Sequence, residues 1–404
     1  MNRFFRDAPP MMALGLLLLA VTIGGAPRAG AGTARVVSLG EGVDYLDDPA
    51  GITRWYARLV GASDQVFLEL GDVAHGRRHA LAGRPLVGHG GGGQLRLDEG
   101  GRWGTLGIWF EDHLARDDTD GAFALRWGRG LGAWDLAVGG RFTTSGQSQA
   151  GTALDDRIDS EYQHQYELGL AGPVHERVRL EVAGEIVNTL FETSGALYRL
   201  QEKDWGTFGL RARARVTVND RLAVIPVLAY ARILRGDESE IIGGPARRDA
   251  WQTRAGLGAE LAPSADTRVI VSSEYRALAD SWRLVGDPIG AVAWERSDRD
   301  GYQLHARLGV ETRLRPWLAV RAGARYVRVH EEIVREFTPE QVLERRDLEA
   351  VATPLYVGVG VRHAGVAVDL AYSDTAPIND GLQGEGVFAG EGPGFAALTV
   401  NWRF

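Results

Sequence analysis

Residues 103–404 repeat one unit, in which a run of about 10–14 residues alternates apolar and polar and then breaks. The breaks themselves alternate. Short ones fall at 129–132, 172–176, 219–220, 262–266, 315–316 and 363–365, and long ones at roughly 144–160, 191–203, 235–249, 280–300, 330–353 and 373–394. A period of two puts successive side chains on opposite faces of a strand. In 302–314, Tyr302, Leu304, Ala306, Leu308 and Val310 share one parity, while Gln303, His305, Arg307, Glu311 and Arg313 share the other. In 205–218, Phe208, Leu210, Ala212, Ala214, Val216 and Val218 oppose Arg211, Arg213 and Arg215. A soluble barrel and a membrane barrel fit this alternation equally well, with the faces reversed.

Three features choose the membrane barrel. The runs match the 9–11 tilted residues that cross a hydrocarbon layer. Trp103, Trp127, Trp134, Trp317 and Trp402 sit beside short breaks, and Trp205 and Trp251 follow long ones, as two interfacial girdles require. The last residues place Ala396, Leu398, Val400, Trp402 and Phe404 on one face and end on an aromatic. This resembles the terminal strand read by the outer-membrane barrel assembly machinery, and it marks Trp402 and Phe404 as the assembly signal. No later segment approaches 18 uncharged apolar residues, and lipid tolerates no open strand edge, so the sheet must close.

Residues 1–31 read as a cleaved secretory signal. Arg3 and Arg6 form the basic start, 11–26 the apolar stretch and Ala29-Gly30-Ala31 the cleavage site. The absence of cysteine excludes disulfides, thiolate metal sites and cysteine nucleophiles. A net charge of −8 without a basic stripe argues against nucleic acid as a partner. Lys203 is the only lysine among 45 basic residues. The expected organisation is a signal peptide at 1–31, an N-terminal plug at 32–65 and a transmembrane barrel at 66–404. The fold is all-β, antiparallel and up-and-down, with about 14 strands, or 16 if 66–71 and 93–98 also pair.

Residues 32–65 do not alternate, and a lumen this wide is not filled by wall side chains alone. They contain Asp47-Asp48-Pro49-Ala50-Gly51-Ile52, then Ala57 and Leu59. Here the chain resembles the long-chain fatty-acid channel (FadL-like) family. Asp47, Asp48, Pro49, Ile52, Ala57 and Leu59 match its N-terminal motif, and Trp55-Tyr56 stands where the family has Asn-Pro. The resemblance implies a hatch in a 14-stranded barrel that passes hydrophobic compounds by diffusion.

Arg211, Arg213, Arg215, Arg307, Arg313, Arg321 and Arg325 share the polar parity with Glu167, Glu181, Glu185, Glu274, Glu311 and Asp369. Such charges either select or orient a solute or pair with one another and stiffen the wall. In both cases they avoid lipid. Gly88 to Gly93, with only His89 interrupting the glycines, reads as a hinge or loop tip, and Asp117 to Gly121 as a plain turn. His75, His79 and His89 lack metal-ligand spacing. Thr338-Pro339-Glu340-Gln341 has the cap, first-turn proline and third-position amide that start a helix, so a short helix is expected to about Glu349. No catalytic constellation stands out and no cofactor is implied. The expected function is passive passage of small hydrophobic or amphipathic molecules across the outer membrane. The competing readings are a filled barrel that docks a partner or export complex and, last, an outer-membrane enzyme. An apolar pocket beside the plug favours the first, and a lumen crossed by Arg–carboxylate pairs the second.

Overall fold

The computed structural model describes residues 33–40, 43–46, 49–71, 89–98, 102–115, 118–149, 157–195, 198–204, 206–239, 247–285, 294–338, 342–374 and 394–404. The proposed signal, Asp47, Asp48, His75, His79 and Trp205 lie outside them.

Eighteen strands form one closed antiparallel sheet. They are β1 (Gln65–Gly71), β2 (His89–Arg96), β3 (Thr105–Ala115), β4 (Asp118–Leu131), β5 (Trp134–Gln149), β6 (Arg157–His175), β7 (Val178–Gly195), β8 (Tyr198–Asp204) and β9 (Thr207–Asn219). There follow β10 (Leu222–Ser239), β11 (Arg247–Leu261), β12 (Thr267–Val285), β13 (Trp294–Arg315), β14 (Leu318–Thr338), β15 (Val342–Ala352), β16 (Leu355–His363), β17 (Val366–Asp374) and β18 (Gly394–Arg403). Consecutive strands pair except β8 with β9 and β15 with β16, and β1 pairs with both β2 and β18, which closes the ring.

Two pairs of strands act as one stave each. β8 and β9 both lie between β7 and β10, on successive stretches, and part at Gly206 (φ +132°). β15 and β16 both pair with β14 and part at Thr353-Pro354, where proline has no N–H for the ladder. The wall therefore has 16 staves, the higher of the two sequence-based counts.

The apolar parity faces outward. Leu210, Leu308 and Trp402 are 53%, 48% and 45% exposed, whereas Arg213 and Arg307 are 4% and 6%. This is the inverse of a soluble barrel and fits acyl chains outside with a polar interior. Trp103, Trp251, Trp317, Trp402 and Phe404 are exposed, and the Trp402 and Phe404 rings meet at 5.5 Å. The short turns fall where the sequence places them.

Four expectations fail. Most of the long breaks are not loops, because the hairpins keep pairing well past the apolar region. β12, β13 and β14 are 19, 22 and 21 residues long, and their paired ladders run to Val285, Trp294 and Thr338. The helix expected at 338–349 is instead strand β15, paired from Phe337↔Val342 to Val327↔Ala352. A rising neighbour satisfies its backbone groups without a helix. The glycine run is strand β2, paired on both sides. The Phe67 ring covers Gly92 and the Phe110 ring covers Gly91, replacing the missing side chains. Of 117–121, the portion from Asp118 onward belongs to β4.

Candidate functional site

The interior holds a non-strand segment. It begins with a short helix α1 (Thr33–Ser38) and continues as 3-10 turns at Val43–Tyr45, Pro49–Thr53 and Tyr56–Gly61. Its contacts run round the inner face. The α1 end packs on β14, β16, β17 and β18, and the 56–61 turn on β3 to β7. Asp44 reaches Arg254 of β11, and Tyr45 reaches Glu274 of β12.

Small wall residues make room for it. A Cβ on Gly309 would lie 2.9 Å from the Leu39 carbonyl oxygen, one on Gly323 2.7 Å from the Gly40 nitrogen, and one on Gly169 2.7 Å from the Ala57 nitrogen. Gly258 faces the Tyr45 ring and Gly358 the Ser38 side chain, each closer than any Cβ tolerates. These are seats, because side chains there would occupy the segment's volume.

The segment's own side chains are large where it turns. Tyr45, Trp55 and Tyr56 are fully buried and join Val36, Leu39, Val43, Ile225, Val227 and Ile270 in one apolar cluster. Around them lies a layer of ion pairs. Arg35 donates from Nε and Nη2 to Glu311 at 2.7 and 2.9 Å. Arg58 Nε donates to Glu181 at 3.0 Å, and the Tyr56 hydroxyl to Glu185 at 2.6 Å. Asp44 accepts Arg254 at 2.7 Å, Arg54 at 3.1 Å and the Trp55 indole N–H at 3.1 Å. Arginine faces cover the aromatics, with Arg213 4.4 Å from the Trp55 ring and Arg126 lying between Tyr56 and Trp109. Burial works against the Asp44 charge, but Arg254, Arg54, Arg213 and Arg211 outweigh it and hold the carboxyl well below the usual range. Burial pushes the Tyr45 and Tyr56 hydroxyls up, so both remain protonated donors.

The wall also pairs with itself. Glu181 bonds Arg213, Glu185 bonds Arg211, and Glu167 bonds Arg126. Glu274 bonds Arg276 and has Arg254 and Arg307 at 3.7 Å. Arg321 links Glu311 to Asp369, and Arg215 meets Glu260 at 2.8 Å. Each pair joins positions on the same, adjacent or nearby staves, and none of them spans the lumen.

The structure thus gathers Arg211, Arg213, Arg307, Arg321, Glu181, Glu274 and Glu311 into one interior layer, with Arg215 at its edge. Arg325 joins through the His305 ring at 3.2 Å. Arg313 does not belong: it is exposed at the rim, 4.0 Å from Asp266. Pro49 opens the second 3-10 turn. Sequence reading missed Asp44, Arg126, Arg254 and Arg276. The last three share the inward parity of their strands and were findable by it. Asp44 sits in a single turn and has no periodicity to give it away. Among the described residues no group of three or more metal-ligating side chains occurs.

No family model matches the sequence, and no curated protein sequence matches it. Solved structures do. CdiB from Escherichia coli superposes with a TM-score of 0.52 at 10% identity, covering 85% of this chain and 63% of that one. CdiB from Acinetobacter baumannii gives 0.47 at 9%, covering 85% and 60%. The toluene transporter TodX from Pseudomonas putida gives 0.45 at 10%, covering 93% and 96%. The chain thus spans less than two thirds of either CdiB. At these identities the likeness is one of fold, carried by the first of the three. With the outward apolar face and the closed 16-stave ring, it makes this chain an outer-membrane β-barrel.

Proposed function

We propose that the protein is a passive channel for small hydrophobic or amphipathic molecules, gated by residues 33–62. It is a conduit and not a catalyst, and it reaches the membrane through a cleaved leader and a terminal strand bearing Trp402 and Phe404. One observation carries the gate: the wall's carboxylates stay paired without the segment. Every wall carboxylate the segment touches already has a wall arginine, as Glu181, Glu185, Glu274 and Glu311 illustrate. Asp44 keeps Arg54 and Trp55 within the segment. Stranding a buried charge costs roughly 3–5 kcal/mol, so a body whose departure strands no wall carboxylate is easier to release. A 16-stave ring relieved of this body is wide enough for an aqueous path.

A permanently filled barrel that docks a partner is the second reading. The complete burial of Trp55, Tyr45 and Tyr56 favours it.

Two cysteine pairs separate the readings, in a chain with no cysteine of its own. Ideal Cβ atoms place Gly309 3.1 Å from Leu39 Cβ, and Gly128 3.0 Å from Val60 Cγ2, within small adjustment of disulfide geometry. The protein carrying Leu39→Cys, Gly309→Cys, Val60→Cys and Gly128→Cys is expected to lose potassium chloride conductance and entry of a neutral apolar dye into liposomes when oxidised. Reduction restores both. Passage that is identical in the two states, or absent from the parent protein as well, refutes the gate and leaves the filled barrel.

A further inference from the structure

We infer that the periplasmic rim of the barrel is a docking surface for anionic phospholipids, centred on Arg102, Trp103, Trp127 and Arg129 at the β3–β4 end. The inference concerns the outside of the wall and stands whether or not the lumen passes a solute.

The short turns mark this end as the one that meets the periplasmic leaflet. Trp103 and Trp317 project there, 63% and 52% exposed, where an indole lies at headgroup level. Arginine keeps company with this girdle: Arg102 beside Trp103, Arg129 after Trp127, Arg315 before Trp317 and Arg403 after Trp402. At β3–β4 the four side chains adjoin. The Arg102 guanidinium lies 5.6 Å from the Trp103 ring centre, and the Trp127 indole N–H donates to the Trp103 carbonyl at 2.8 Å. A Cβ on Gly104 would lie 3.2 Å from the Arg129 Cβ. Arg129 shares the strand parity of Phe123 and Leu125, both exposed on the outer face, and a stem of that length carries its charge to the headgroup layer.

Charge pairing sets this end apart from the other. On the lipid-facing parity of the extracellular end, Arg232, Arg296 and Arg345 meet Asp249, Asp298 and Glu332 at 2.9, 2.8 and 2.8 Å, and Arg328 meets Glu349. Asp300, Glu332 and Asp347 lie directly opposite one another across β13, β14 and β15, an acidic row on the same face. At the periplasmic rim the balance reverses. Among the described residues, Arg102, Arg129, Arg177, Arg221 and Arg315 have no carboxylate within ion-pair distance. The nearby carboxylates Asp135 and Asp266 already serve Arg179 and Arg313.

An arginine at the edge of the hydrocarbon layer with no carboxylate needs another anion. A lipid phosphodiester presents paired oxygens that match the guanidinium fork. A zwitterionic headgroup brings its own ammonium to the same place and gains less. The fitting occupant is therefore a phospholipid without an amine, of the phosphatidylglycerol type, whose glycerol and upper acyl region also meet the indoles.

Native mass spectrometry of the detergent-purified protein tests this, once heat-modifiable gel migration has shown each variant to be a folded barrel. The parent protein is expected to bind dioleoylphosphatidylglycerol more tightly than dioleoylphosphatidylcholine, by about fivefold for each arginine engaged. Arg102→Gln with Arg129→Gln should remove most of that preference and leave phosphatidylcholine binding unchanged. Adding Arg177→Gln and Arg315→Gln should abolish it. Arg296→Gln with Arg328→Gln, at the extracellular end, should change nothing. A parent protein without the preference, a preference that survives all four periplasmic substitutions, or one that the extracellular pair removes equally, overturns the inference. Glycerol phosphate at the lipid's concentration is expected not to displace the bound lipid. Displacement would reveal a site for free phosphoesters in place of a lipid surface and overturns the inference as well.

Discussion

Replacing Asp44 with asparagine isolates the most buried ionic tie between the interior segment and the wall. Asp44 is 3% exposed and accepts Arg254 at 2.7 Å, Arg54 at 3.1 Å and Trp55 at 3.1 Å. Asparagine keeps the shape and one acceptor but removes the charge. Removing one partner of a buried ion pair costs roughly 3–5 kcal/mol when the other is stranded. Arg254 is not fully stranded, since Glu274 lies 3.7 Å away, so the lower end applies. About 3 kcal/mol is on the order of a hundredfold in the docked-to-undocked ratio, at about 1.4 kcal/mol per factor of ten. Hydrogen exchange measured by mass spectrometry on the detergent-solubilised protein reads this directly. Peptides spanning 43–61 should exchange on the order of a hundredfold faster, where opening is in fast equilibrium. Peptides from β12, β13 and β14 should not change. Unaltered exchange in 43–61 refutes the assignment of Asp44 as the tie. Equal acceleration of wall strands shows instead that Asp44 supports the barrel itself.

The same carboxylate gives a pH dependence. Its docked-state pKa is depressed from an ordinary 3.8, so its stabilisation is complete above that value and is lost as pH falls below it. Exchange in 43–61 should therefore accelerate between about pH 4 and pH 2 relative to the intrinsic rate, and Asp44→Asn should abolish that acceleration. Gly258→Leu drives a side chain into the Tyr45 ring and should expel the 43–45 turn, read as new proteolysis in 43–61 with the gel-resistant barrel retained. Leu308→Arg puts a charge on the lipid face and should cost about 2–4 kcal/mol in urea titrations of folding into liposomes if it lies near the midplane. Arg307→Leu, on the neighbouring interior position, should leave the lipid contact intact and raise exchange near Tyr45 instead.

Legibility in the sequence followed the solvent. Where a strand has lipid on one side and water or protein on the other, the two faces demand opposite chemistry, and Leu210 against Arg213 or Leu308 against Arg307 records it. Above the membrane both faces are wet, the demand lapses, and the pattern fades although pairing continues. Arg296 and Asp298 of β13, bonded at 2.8 Å along one strand, and the charged run Glu344-Arg345-Arg346-Asp347 of β15 look like loop but are ladder. Gly90 to Gly93 failed differently. Glycine is a poor strand former alone, and only the rings of Phe67 and Phe110, distant in sequence, make β2 tolerable.

The interior segment marks the remaining limit. Its helix and turns are too short for periodicity, and its place depends on residues it meets across the barrel. The wall nevertheless carried a trace of it. Gly169, Gly258, Gly309, Gly323 and Gly358 all fall on the inward parity of their strands, among arginines and carboxylates. A lumen that only needed to be wet would have no use for repeated missing side chains on its inner face. Five inward glycines on five different strands are intelligible once a backbone must come within contact of the wall, and that distance constraint, more than any single ion pair, assigns the segment to the inside.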